Sequence, residues 1–237
     1  MGSPYVVAAC GFVIPQKVST LWERGRYVEY LMAFTFYKEI QEYYEKPLIS
    51  SGCFSLFRTE YLQQIKGWSL RIMAEDMDLT WTAYHLGKKV RFIPSAICYP
   101  IEPHNFHFMR QQLTRWAHGF IQNVRLHRKG LLQVPFLHSI VMVMCWDASI
   151  ASIFYLTALP ILAVTVSPLF LLGYIIDLPM VLVPTLVKAY SRGETWKALT
   201  SIPAFLVLRV VNSAIFLEAL FKELVLKKTL TTYEKGH

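Results

Sequence analysis

Apolar positions are divided unevenly along the chain. Residues 1–130 carry most of the charged groups, whereas residues 134–225 are dominated by Leu, Val, Ile, Ala and Phe. In that second stretch, Ser139 to Thr165 is an apolar run interrupted only by Asp147, and Leu169 to Val187 is another, with the breaker Ser167-Pro168 between them. At about 1.5 Å per residue each is long enough to cross roughly 30 Å of hydrocarbon. Ala198 to Leu220 is a third and weaker candidate, because it contains Pro203, Arg209, Asn212 and Glu218. Residues 134–228 thus read as a membrane region with two or three transmembrane helices, and residues 229–237 as a polar tail.

The first half alternates strand and helix signals. Tyr5 to Ile14 is a continuous apolar run ended by Pro15, which predicts a buried strand, and Thr20 to Tyr44 follows with helical periodicity and many aromatics. Leu48 to Arg58 is a short mixed segment around Ser50-Ser51-Gly52. Asp76 to Leu86 predicts a helix stopped by Gly87, and Lys89 to Ile93 a strand with Pro94 behind it. Residues 106–133 predict an amphipathic helix with an apolar stripe of Phe106, Met109, Leu113, Ala117, Phe120 and Val124; Arg110, Arg125 and Arg128 lie on its polar side. Strand, helix and strand in this order argue for an α/β fold, with too few strands to close a complete doubly wound domain.

Composition sharpens this picture. With 54% hydrophobic and 17% charged residues, and a mean hydropathy of +0.35, the 237 residues do not fit a soluble globule, and disorder or a disulfide-stapled scaffold is excluded. The net charge of +8 suits an anionic membrane face or a phosphate-bearing ligand. Cys10, Cys53, Cys98 and Cys145 are too dispersed for a zinc site or a redox dithiol, and are expected to be free, mostly buried thiols. Met1 to Tyr5 has neither a basic n-region nor a cleavage site. Arg125, Arg128 and Lys129 before the first span, and Lys188, Arg192 and Lys197 after the second, favour a cytoplasmic location for both flanks; a third full span would put Lys222, Lys227, Lys228 and Lys235 outside, against the positive-inside rule.

Four constellations could carry chemistry. Glu75-Asp76-Met77-Asp78 opens a helix, where acidic residues simply complement the dipole, or where one of them, Asp76, serves as a general base. Gln112, Arg115 and Trp116 share a helix face at i, i+3 and i+4. The arginine can bind a diphosphate and the tryptophan a sugar ring, or the pair can contact lipid headgroups at a membrane surface. Ser50 to Ser55, with Gly52 and Cys53, is a small-residue turn that lets a ligand approach the backbone, or a plain turn. His104 and His107, at i and i+3, lack a third metal ligand nearby and read as surface residues.

In order, these pieces resemble the membrane-embedded, processive family 2 glycosyltransferases, the cellulose, chitin, hyaluronan and poly-N-acetylglucosamine synthases. The resemblance runs through Gly11, Glu29-Tyr30-Leu31, Ser51-Gly52-Cys53-Phe54-Ser55, Gly67-Trp68, Glu75-Asp76-Met77-Asp78, Gly87 to Pro94, Glu102-Pro103 and Gln112-Leu113-Thr114-Arg115-Trp116, ending at Gly119. It implies the C-terminal half of a GT-A catalytic domain over residues 1–105, the acceptor and base side, followed by an interfacial helix and transmembrane helices.

By this resemblance Asp76 is the catalytic base and Glu75 precedes it, with Ala74 where the family carries Thr; Gly52 and Cys53 lie beside the acceptor, and Gln112, Arg115 and Trp116 hold the donor diphosphate and the acceptor sugar. The implied reaction is inverting transfer from a UDP-sugar, most plausibly UDP-N-acetylglucosamine, to a growing β-linked polysaccharide at the cell membrane. The enzyme would be multi-pass with its catalytic part cytoplasmic. Its partners would be the donor, the polysaccharide acceptor, the bilayer and an upstream half or accessory subunit, with no nucleic acid. The divalent cation of such enzymes, Mg2+ or Mn2+, would find its ligands outside this sequence, so the chain alone is expected to be inactive. The alternatives are a non-enzymatic membrane protein and a non-processive transferase acting on a lipid-linked acceptor.

Overall fold

A computed structural model describes residues 5–69 and 72–232. Met1 and Lys235 therefore lie outside the described residues, as does part of the 229–237 tail. The first apolar run forms β1 (Val6–Val13), every residue of which is buried. It runs parallel to β3 (Lys89–Cys98) and antiparallel to the short β2 (Ser55–Phe57), giving a mixed three-stranded sheet ordered β2-β1-β3. Pro94 does not end β3, contrary to the sequence expectation. The register jumps from Gly11 opposite Ile93 to Phe12 opposite Ile97, so the proline falls in a bulge where its missing N–H breaks no ladder bond.

The stretch expected to be one helix has three parts: α1 (Leu21–Met32), a π-helical turn over Ala33–Tyr37, and α2 (Lys38–Tyr43). Thr20 caps α1 in a reciprocal box with Glu23. After α3 (Thr59–Gln64) comes α4 (Glu75–His85), which is stopped as expected at Gly87, where φ is +68°. The core between sheet and helices includes Val7, Ala8, Trp81, Tyr84 and Val90, and the Trp81 indole donates to Leu48 O at 2.9 Å.

The amphipathic stretch is α5 (Phe106–Leu131), capped by Asn105, whose side chain accepts from the Phe108 N–H at 3.0 Å. Its polar side is not simply solvated. α5 packs against α4 on one side and α9 (Thr195–Leu224) on the other, so His118, Gln122, Asn123 and His127 are buried. Arg110 and Arg125 pair with Glu218 and Glu223 of α9.

The first apolar run is a continuous helical stretch, Pro135–Thr165, made of α6 (Pro135–Trp146), two π-helical turns and α7 (Leu159–Thr165). The second run departs from expectation. It is not one straight helix: a 3-10 helix at Pro168–Tyr174 leads into α8 (Leu178–Ser191), and the segments Pro168–Met180 and Leu182–Ser191 meet at a 44° bend, as in a broken span or a re-entrant loop. The weakest candidate is the unbroken one: α9 is 30 residues long, with a mean hydropathy of 1.9 against 1.8 for Pro135–Thr165. Both of these helices are long and apolar enough to cross a bilayer. The four cysteines are free, but only Cys10 is buried, contrary to the expectation of mostly buried thiols; Cys53 is exposed in the turn before β2, and Cys98 and Cys145 are intermediate, packed at the edges of the apolar clusters.

Candidate functional site

The carboxyl end of β1 organises the site. Because Cys10 pairs with Ser55, the chain entering β2 must turn just beyond the middle of β1, and the Gly11 N–H donates to Phe54 O at 3.2 Å. The turn itself is closed by the Phe54 N–H and the Ser55 hydroxyl, which donate to Ser51 O at 3.0 and 2.8 Å. Residues 51–54 therefore stand at the carboxyl ends of the parallel pair, where open α/β sheets bind ligands.

Asp76 meets this turn from the first turn of α4. Its Oδ2 accepts from the Gly52 N–H at 2.8 Å and its Oδ1 from the Met77 N–H at 2.8 Å, so both carboxylate oxygens are oriented. A Cβ at residue 52 would lie 3.2 Å from that Oδ2, which explains a glycine there. Thr80 ties the same two segments together: its hydroxyl donates to Asp76 O at 2.7 Å and accepts from the Ser50 N–H at 2.8 Å. Burial raises the Asp76 pKa above the ordinary aspartate value and neighbouring Glu75 adds to this, while the Gly52 and Met77 amides and the Arg115 guanidinium pull it down. A half-buried carboxylate with a raised pKa and fixed orientation is suited to accept a proton. Glu75 and Cys53 flank it and are exposed.

α5 crosses the start of α4 at very close range. A Cβ on Gly119 would come 2.5 Å from Ala74 Cβ, so only glycine allows the approach. The Asn123 side chain donates to Ala74 O at 3.1 Å, and Gln122 Oε1 accepts from the Met73 N–H at 2.9 Å. One turn earlier on α5, the sequence-predicted trio divides. Arg115 is close enough to lower the Asp76 pKa. The Gln112 Oε1 is buried without a hydrogen-bond partner among the described residues. Trp116 turns toward α1 and α9 and packs on the cluster of Met109, Leu113, Leu208 and Ile215.

Three features escaped the sequence reading. Lys38 is buried at 5% exposure, donates to the Ser51 hydroxyl at 3.0 Å and lies 4.5 Å over the Phe34 ring; the π-helical turn after α1 sets the helix face on which it lies, and simple helical periodicity gives no sign of that. Arg26 is wholly buried against Glu102, Glu29 and Trp116. Asp78, two residues beyond Asp76, is engaged in packing α4 against α5: it bonds His127 Nε2 at 2.6 Å, and His127 Nδ1 lies 3.0 Å from His85 Nε2, a polar rung between the two helices. Burial first, then His127, lowers the His85 pKa.

A divalent cation does not fit the residues at hand. Among the described residues no group of three or more His, Cys, Asp or Glu side chains could hold one. His104 and His107 are exposed and bond Asn105 and Gln111 instead, both at 3.2 Å.

Comparison with known families matches residues 1–187 to the family described as glycosyl transferase family group 2. The chain is 39% identical over 62 residues to the probable glycosyltransferase YdaM of Bacillus subtilis (26% of this chain, 15% of that protein). It is 36% identical over 85 residues to the uncharacterized glycosyltransferase YaiP of Escherichia coli (36% and 21%). It is 28% identical over 69 residues to the poly-beta-1,6-N-acetyl-D-glucosamine synthase of Staphylococcus epidermidis (29% and 17%). The matches thus span only 15–21% of the length of these relatives. Among solved structures, the mannosyltransferase PcManGT from Pyrobaculum calidifontis, in complex with GDP-Man and Mn2+, aligns over 95% of this chain and 56% of its own at 16% identity, with a TM-score of 0.46.

Proposed function

The chain belongs to glycosyl transferase family group 2, and from that premise we propose that it forms the acceptor side of an inverting, processive membrane glycosyltransferase. The enzyme extends a β-linked polysaccharide from a UDP-sugar. UDP-N-acetylglucosamine is the donor supported by the polymer synthase among its relatives. One observation carries this reading: Asp76, with a raised pKa and both oxygens fixed, stands at the carboxyl ends of the parallel strands beside Gly52.

In this reading the acceptor hydroxyl lies against Asp76, with Gly52 and Cys53 beside it and Trp116 stacking its sugar ring. Asp76 takes the hydroxyl proton as the oxygen forms a bond to the anomeric carbon of the donor. The bond from that carbon to the diphosphate breaks, the configuration inverts, and UDP leaves with the electron pair. Arg115 and Gln112 face the departing diphosphate, the guanidinium offsetting its charge, and Glu75 flanks the base. Since the described residues do not fit a divalent cation, no step is drawn through one.

The membrane role rests on two helices of sufficient length and apolarity, and the cytoplasmic side of the catalytic part on the basic flanks. Of the proposed limits 1–105, 106–133, 134–228 and 229–237, the first two boundaries are supported by the start of α5 at Phe106 and of the first apolar helix at Pro135.

The test is polymer synthesis from labelled UDP-sugar in membranes carrying the full natural polypeptide, with a parallel assay of this chain alone. Asp76→Asn should lower kcat by about 10²–10⁴-fold, as for a lost general base. In the unsubstituted enzyme, kcat/KM should fall as the pH drops through the raised Asp76 pKa, above the usual aspartate range, because the protonated form cannot accept the acceptor's proton. Polymer synthesis that survived both Asp76→Asn and Trp116→Ala would leave the non-enzymatic alternative standing. Products of one sugar on a lipid would favour the non-processive one.

A further inference from the structure

Arg26 lies on α1 with no exposed surface, an unusual place for a charge. Its guanidinium carbon sits 4.3 Å from the centroid of the Trp116 ring and 4.5 Å from that of Tyr30. Each of its three nitrogens is engaged around the rim: Nε with Glu102 Oε2 at 3.3 Å, Nη2 with the Tyr30 hydroxyl at 2.9 Å, and Nη1 with Glu29. Glu29 is fixed in turn by Asn212 of α9, whose amide donates to Oε1 at 3.3 Å. Packing alone does not call for this arrangement, since a buried ion pair gives little net stability over an apolar group of the same volume. What the arrangement does set is a plane. Carboxylates at fixed points of the rim restrict the guanidinium, and the indole it lies over is held against it.

We propose that Arg26 is the positioning residue of the acceptor platform: its guanidinium lies over the Trp116 ring and holds it, so that a sugar ring meets only the part of the indole left exposed. This rests on the reading of Trp116 as the acceptor platform. It adds a subsite whose angle is set by Arg26, Glu29 and Glu102, none of which touches the sugar. Trp116 keeps part of its surface exposed, while the rest of the side chain packs on Met109, Leu113, Leu208 and Ile215.

The test is a kinetic one in membranes carrying the full natural polypeptide, with a β-linked N-acetylglucosamine oligosaccharide as the titrated acceptor. Arg26→Lys keeps the charge between Glu29 and Glu102 but loses the flat stack. It should raise the acceptor KM about 3–10-fold while the donor KM stays unchanged, and Arg26→Lys with Trp116→Ala should be no worse than Trp116→Ala alone. Equal changes in both KM values, or additive effects in the double variant, would overturn the proposal by assigning Arg26 a general structural role. If Arg26→Lys fails to accumulate, Glu102→Gln, which loosens one rim contact, should raise the acceptor KM about 2-fold, and an unchanged value would overturn the proposal. Trp116→Ala with an unchanged acceptor KM would instead sink the platform reading itself, an outcome separable from the others.

Discussion

The two long apolar helical stretches differ in what they touch. Pro135–Thr165 has 11% of its most apolar window buried, and Met142, Val143 and Trp146 are more than half exposed along it. In α9, of nearly equal hydropathy, 28% of the window is buried, and the helix packs along both α1 and α5. The polar residues that make α9 look a poor span are the ones that join it to the site. Asn212 reaches Glu29, Glu218 pairs with Arg110, and Arg209 forms a two-pronged bond with Asp177 in the bent segment, at 2.6 and 3.0 Å. Hydropathy measures fitness for lipid, whereas these contacts measure how far a helix is built into the rest of the fold. Polar groups in a span that face other helices rather than lipid are those that carry function.

That contrast can be broken by substitution. The largest effect is expected at Glu223, which is buried at the end of α9 and bonds His118 at 2.8 Å and Gln122 at 2.7 Å. Glu223→Ala strands those partners and should cost about 3–5 kcal/mol, as for one member of a buried pair, seen as a lower melting temperature in detergent. Next is Gly119→Val. Its Cβ would collide with Ala74, so it should cost about 1–3 kcal/mol and also depress transfer by shifting the start of α4. The smallest effect is expected from Val143→Ala on α6, whose side chain faces outward; it should change stability by less than about 0.5 kcal/mol. A loss at Val143 matching that at Glu223 would show the first helix to be as deeply integrated as α9.

Much of the fold around the site could be read in the sequence because it depends on short-range rules. Tyr5 to Ile14 read as a buried strand and Gly87 as a helix stop, and both are found; the contact between Asp76 and Gly52, 24 residues apart, could not be read this way. What escaped depends on distant parts of the chain. Arg26 and Glu102 are 76 residues apart and look like separate surface charges until they meet under Trp116. Lys38 owes its facing to a π-helical turn that no periodicity reveals. The persistence of β3 past Pro94 needed the register shift opposite Gly11 and Phe12. The second run bends between Met180 and Leu182, and Asp177 just before the bend draws a partner from α9, 32 residues away.

The Gln122 side chain measures a distance. Its oxygen takes the Met73 N–H at 2.9 Å, and its nitrogen gives to Glu223 at 2.7 Å and to Leu230 O at 3.0 Å. An amide has a fixed span of a few ångströms between those atoms and cannot stretch. All its bonds persist only while the chain near Leu230, the end of α9 and the approach to Asp76 keep one spacing. The group thus works as a gauge block, and a pull on the segment after α9 would pass through two side-chain bonds to Met73, three residues before Asp76.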